Sequence, residues 1–199
     1  AVFELVPGKS PLLIAETSWP AKNREAEMIM PQLEKLVSEH DKSFNDIQQI
    51  YVIKGPGSFT GLRVGITVAN TIAYLNKCEL FGIGTFEYWH SISDLPLLVY
   101  AGKGGVYLSL NSKSEPRLVN IKDLNEVLHS QNIKKVFGDI SKEQKAVLKG
   151  IKFVASKNTF GTVMQNLIAG RPHRSVKIIE PIYIKEPGIT ASKKQPVFY

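Results

Sequence analysis

One order of elements, met twice along the chain, limits the possible folds more than any other feature. In the second half, residues 95–101 (LPLLVYA) and 106–111 (VYLSLN) are β-rich runs separated by the turn GKGG, the signature of a hairpin. A third strand-like run at 116–121 follows. Next come a short amphipathic helix over 122–130, a strand over 133–139 and a helix over 141–150 opened by Ser141. A strand over 151–156 and a helix over 160–170, closed by Gly170, complete the series. The order is β-β-β-α-β-α-β-α. The first half follows it from the second strand onward: runs 1–6 and 11–19 joined by PGKS, a helix over 23–40, a strand over 47–55, a helix over 58–76 and a strand over 79–86. Two tight hairpins argue against a plain parallel sheet, because parallel neighbours need long crossovers.

Three hairpin-linked strands followed by alternating helix and strand is the ribonuclease-H-like plan. Two copies make an α/β protein of the actin/hexokinase (ASKHA) type. The expected division is an N-terminal lobe at 1–90, a C-terminal lobe at 91–175 and a segment at 176–199 that packs back on the lobes. The first strand of lobe 1 is expected to be absent from the chain as given. Omitting a central strand would leave its neighbours' backbone groups unpaired, so loss of an N-terminal segment from the sequence is the expectation.

Composition sets the class. Of 199 residues, 43% are hydrophobic and 22% charged, as in a globular chain with a sizeable core. No apolar run approaches the roughly 18 residues of a membrane span. The single Cys78 excludes an internal disulfide and a multi-cysteine zinc site, and the start carries no leader pattern. A cytoplasmic protein is expected. The net charge of +7 comes from scattered lysines, with one cluster near the end: Arg171, His173, Arg174, Lys177, Lys185, Lys193 and Lys194. A general lysine bias and a nucleic-acid-facing surface both account for it.

The stretch GPGSFTGLRVG (55–65) lies between a strand and a helix, where phosphates often bind. It fails the Walker pattern: three residues separate Gly57 from Gly61, and Leu62-Arg63 stand where Lys and Ser/Thr belong. It fails the dinucleotide fingerprint too, because Thr60 occupies the sixth position from Gly55. What remains is a turn at Gly55 and Gly57 and a helix start capped by Ser58 or Thr60. Those residues and Arg63 could contact an anion only weakly.

The helix is more informative. Gly61, Gly65, Ala69 and Ala73 recur every fourth residue, flanked by Leu62 and Ile66. Two glycines in a helix cost roughly 1 kcal/mol each relative to alanine. Close approach of the lobe's own sheet or of a partner helix would offset that. Helix 23–40 carries Met28, Ile29, Met30, Leu33, Leu36 and Val37 on more than one face, which suggests a contact beyond its own sheet.

In combination, GPGSFTGLRVGITVANTIAY, LFGIGTFE and EPIYIKEP (180–187) resemble the signature of the TsaB family, also called YeaZ. The resemblance covers nearly the whole chain. It implies the doubled actin-like fold and a role as the non-catalytic scaffold of TsaD. With TsaE, these proteins make the threonylcarbamoyl modification of adenosine 37 in tRNAs that read ANN codons. It places ATP and metal on TsaD and none held tightly here, with tRNA reached through the complex and no membrane. It implies docking through helices 23–40 and 58–76, and a homodimer through the same surface when TsaD is absent. The docking residues are then Met28, Ile29 and Leu33 on the first helix, with Gly61, Leu62, Gly65, Ile66, Ala69 and Ala73 on the second. The sequence departs from the family in three places. The usual opening strand ending Asp-Thr-Ser has no match, Glu25 stands where His is common, and Tyr100-Ala101-Gly102-Lys103 replaces Asp-Ala-Arg.

Independent catalysis is the alternative, as an ATP-dependent phosphotransferase or a glycoprotease-like hydrolase of the same superfamily. His40, His90, His129 and His173 include no His-x-x-x-His pair. Cys78 lies between Lys77 and Glu79 at a helix end, an unremarkable place for a thiol. The first strand, which would carry the acidic residue for Mg-ATP, is missing from the pattern. No enzyme activity of its own is expected.

Overall fold

The computed structural model describes residues 1–6, 8–20, 24–170 and 174–184. Position 23 of the first predicted helix, the cations Arg171, His173, Lys185, Lys193 and Lys194, and the tail from 185 onward lie outside the described residues.

The second lobe holds one five-stranded sheet. Its strands are β5 (Leu97–Tyr100), β6 (Gly105–Ser109), β7 (Arg117–Asn120), β8 (Lys135–Asp139) and β9 (Lys152–Val154), in the order β7-β6-β5-β8-β9. The two hairpin pairs are antiparallel, and β5–β8 and β8–β9 are parallel, as the alternation of short turns and helical crossovers dictates. β5 is buried on both faces with period two. Leu98 packs with Val106, Val136 and Leu128 under α4 (Leu124–Ser130), while Leu97 and Val99 pack with Tyr107 and Phe137 on the opposite side. Gly138 faces Leu98 across the β5–β8 pair, and a Cβ there would lie 2.1 Å from the Leu98 carbonyl oxygen. Ser141 opens α5 (Lys142–Ala146) with a reciprocal capping box: its Oγ accepts from the Gln144 N–H at 3.2 Å, and Gln144 Oε1 accepts from the Ser141 N–H at 3.1 Å.

The first lobe follows the same chain order. Its elements are β1 (Val2–Glu4), β2 (Leu12–Ala15), α1 (Glu25–Ser38), β3 (Gln49–Gly55), α2 (Phe59–Asn76) and β4 (Glu79–Gly84). They correspond in sequence to β6, β7, α4, β8, α5 and β9. Among the described residues β1 and β2 pair antiparallel and β3 and β4 pair parallel, as two separate two-stranded sheets. The counterparts of these pairs in the second lobe are joined through β5.

Side chains from α6 (Phe160–Gly170) tie the two small sheets together. A Cβ on Gly161 would lie 2.8 Å from Leu13 Cδ1 of β2, and Gln165 Nε2 donates to the Pro11 carbonyl at 2.7 Å. Val163, Met164 and Leu167 form one cluster with Ile83 of β4, with Phe3, Tyr51 and Ile53 packed around it. Chain order assigns α6 to the second lobe, yet it completes the core of the first.

Sequence and structure differ in several boundaries. The predicted strand 79–86 ends at Gly84, and Thr85–His90 form a further helix, α3, whose Glu87 carboxylate accepts from the Gly84 N–H at 3.2 Å. The predicted helix 141–150 is only Lys142–Ala146 long. A 3₁₀ turn, Phe44–Asp46, precedes β3. No helix among the described residues is long and apolar enough to cross a membrane.

Candidate docking surface

The turn Gly55-Pro56-Gly57 delivers the chain from β3 into α2. Ser58 is the cap: its Oγ accepts from the Gly61 N–H at 3.5 Å, and its carbonyl accepts the first helical bond from Leu62 N–H at 2.9 Å. Thr60 lies within the helix, exposed. Lys77, in the left-handed conformation, ends it. Gly57 stands against Leu62, and Arg63 lies over the ring of Phe59 with its guanidinium carbon 4.9 Å from the centroid. The turn residues therefore all have intramolecular neighbours, and Gly55 has the closest. With φ +107°, a Cβ on it would come within 2.7 Å of the Ile182 carbonyl oxygen.

Ile182 belongs to an extended segment, 174–184, laid over the first lobe. Its Val176 N–H donates to Leu80 O at 2.9 Å and its Ile182 N–H to Lys54 O at 2.7 Å. Ile179 is buried against α2, and a Cβ on Gly82 would lie 3.3 Å from Ile179 Cδ1.

The four-residue stripe on α2 divides in two. Ala69 and Ala73 are buried with Leu62 and Ile66 against Leu80 of β4 and Ile179. These four are interior in this chain, so the expectation that they form the partner-facing surface is corrected. A spacing of four turns the helix by about 40° beyond a full circle at each step, so the stripe winds from groove to core. Gly61 and Gly65 keep the other end. A Cβ on Gly65 would meet nothing within 4 Å, and one on Gly61 only the Ser58 side chain, at 3.6 Å.

These glycines line a groove of about 310 Å³ with Val64, Ile29 and Glu25 of the two helices and with Ser18 and Trp19. Met28, Ile29 and Leu33 of α1 are half-buried. Sequence reading missed Trp19 and Val64, which stand outside any period. It also missed Tyr74 and Leu75 at the far end of α2, which are 83% and 69% exposed.

The groups with chemical potential lie apart from this groove. His40 Nδ1 is 3.0 Å from the Leu36 carbonyl, His129 Nε2 is 3.0 Å from that of Lys149, and His90 Nε2 is 2.8 Å from the hydroxyl of the buried Ser109. Burial pushes the Cys78 thiol up, away from the reactive thiolate. Among the described residues no three of His, Cys, Asp and Glu come together as a metal-holding group.

The family model described as TsaD, tRNA N6-adenosine threonylcarbamoyltransferase, matches residues 20–123, just over half of the chain. The chain is 28% identical over 189 residues to the tRNA threonylcarbamoyladenosine biosynthesis protein TsaB of Buchnera aphidicola (subsp. Baizongia pistaciae), an alignment that covers 83% of this chain and 85% of that one. It is 33% identical over 75 residues to TsaB of Bacillus subtilis, covering 38% of this chain and 33% of the relative. It is 34% identical over 84 residues to an uncharacterised Mycoplasma pneumoniae protein, covering 42% and 43%. The chain thus spans less than half the length of two of these relatives and most of the third. In fold it is similar to YeaZ from Pseudomonas aeruginosa, with a TM-score of 0.56 over 80% of this chain and 85% of that one at 15% identity. With the TsaD-type model over half its length and TsaB and YeaZ proteins as its relatives in sequence and fold, the chain belongs to the TsaB (YeaZ) family.

Proposed function

We propose that this protein is an accessory subunit in the biosynthesis of threonylcarbamoyladenosine in tRNA. It docks a TsaD-type paralogue on the α1–α2 groove and performs no chemistry of its own. The names of its relatives support the pathway. The groove supports the docking role. Gly61 and Gly65 carry the helix cost of glycine, roughly 1 kcal/mol each, yet a Cβ at Gly65 would meet nothing of this chain within 4 Å. An approaching helix is the neighbour that would use that space. In this reading TsaE joins the assembly, ATP and metal are held by the paralogue, and tRNA reading ANN codons is modified at adenosine 37 through the complex. Without the paralogue, the same groove pairs two copies of this chain in the cytoplasm.

Two measurements test this. Co-expression with the paralogue should give a stable complex, and depletion should remove threonylcarbamoyladenosine from total tRNA nucleosides. Metal-dependent nucleotide turnover by the purified protein alone would overturn the non-catalytic reading in favour of a stand-alone phosphotransferase or hydrolase.

A further inference from the structure

We infer that α3 is a brace: it locks the two lobes into one rigid body, so this chain does not close its lobes around a ligand. Two-lobed enzymes that clamp a ligand bend where the chain passes between the lobes, at loop or element-terminal residues free to change φ and ψ. Among the described residues the chain makes that passage twice, from β4 through α3 to β5 and from β9 to α6. On the first passage both ends of α3 are held. The Gly84 N–H donates to Glu87 Oε2 at 3.2 Å on entry. On exit the N–H groups of Ser91 and Ile92 donate to the carbonyls of Glu87 and Trp89, each at 3.1 Å. This property belongs to the chain alone and does not depend on the docking reading above.

The side chains of α3 are shared by both cores. Tyr88 is buried with Ile83 of β4 and with Val163 and Met164 of α6, in the first lobe. Next to it, Trp89 meets Phe137 of β8 edge to face, with centroids 5.3 Å apart and the rings at 78°. His90 then reaches β6, its Nε2 2.8 Å from the hydroxyl of Ser109, a side chain only 1% exposed. The second passage is fastened to the first. The Phe160 ring, at the start of α6, stacks on Tyr88 with centroids 5.5 Å apart. Bending at one passage would therefore have to break ring contacts at the other, and close-packed side chains do not deform gradually.

Spin labels placed by Glu34→Cys on α1 and Glu126→Cys on α4, in the full chain carrying Cys78→Ala, read the distance between the lobes; both label positions are exposed. The brace gives one narrow distance distribution, unchanged by MgATP. Trp89→Ala removes the ring between α3 and β8 and should broaden that distribution by about twofold or more. Phe160→Ala truncates a ring that is 41% exposed, unfastens the second passage and should broaden it as well, even where Trp89→Ala fails to fold. Circular dichroism identifies the folded variants. A broad or two-peaked distribution in the labelled parent, or a shortening when MgATP is added, overturns the brace. Folded variants whose distributions are all as narrow as the parent's overturn it too, because the lobes are then held by something other than α3.

Discussion

Gly55 and Ile182 meet backbone to backbone: a methyl group on Gly55 would stand 2.7 Å from the Ile182 carbonyl oxygen. The glycine that begins the phosphate-like motif is thus the seat of the C-terminal segment. Gly55→Ala must push that segment away, and at φ +107° it adds backbone strain. A loss of about 1–3 kcal/mol is expected in urea denaturation. The Ile182 amide, bonded to Lys54 O in the native protein, should exchange faster.

Gly65 gives the opposite result. Nothing lies within 4 Å of a Cβ there, so Gly65→Ala should stabilise the isolated protein by about 0.5–1 kcal/mol through helix propensity. Gly65→Leu should leave the circular dichroism spectrum native and abolish co-purification with the paralogue. An unfolded Gly65→Leu protein would show that the position is packed within the chain.

Gln144 is 2% exposed, and its Nε2 donates to the carbonyls of Gly102 and Gly105 at 2.8 and 2.9 Å. It fixes the β5–β6 turn from beneath. Gln144→Ala leaves both carbonyls short of a donor and breaks the capping box, so a loss of about 2–4 kcal/mol is expected on denaturation. A loss within experimental error would mean that water replaces the amide.

Tyr88 is buried, and its phenol is pushed from 10.0 up to about 12, first by burial and then by the charges of Glu16 and Asp139. The folded state therefore keeps a proton that the unfolded chain gives up near pH 10. Between these values stability should fall as pH rises. Tyr88→Phe should flatten that slope by up to about 1.4 kcal/mol per pH unit. Equal slopes in both proteins would show that Tyr88 titrates normally.

Much of this fold could be read from local chemistry. The GKGG turn between two β-rich runs and the Ser141 cap predicted the β5–β6 hairpin and the start of α5. Thr85–His90 escaped because its threonine and aromatics favour strands, while its helix rests on the Glu87 bond to Gly84 and on packing between the lobes. α1 and α2 were legible as helices. Which part of the small-residue stripe stays open was not, because the slow rotation of a four-residue spacing needs the sheet below as a reference. Asn70, whose side-chain amide bonds both backbone groups of Ile179, carried no signal at all. Its partner lies 109 residues away in sequence, in a segment with no period of its own.

The packing of α6 and of residues 176–182 on the first lobe has a consequence for the order of assembly. A nascent chain makes β1 to β4 early, but the side chains that join those strands into one core come from positions 160–182. The second lobe's sheet closes between 97 and 154 and needs none of residues 160–182 for its strand pairing. The first lobe's strands are thus completed only after residues 160–182 have been made, and until then their apolar faces lack that cover.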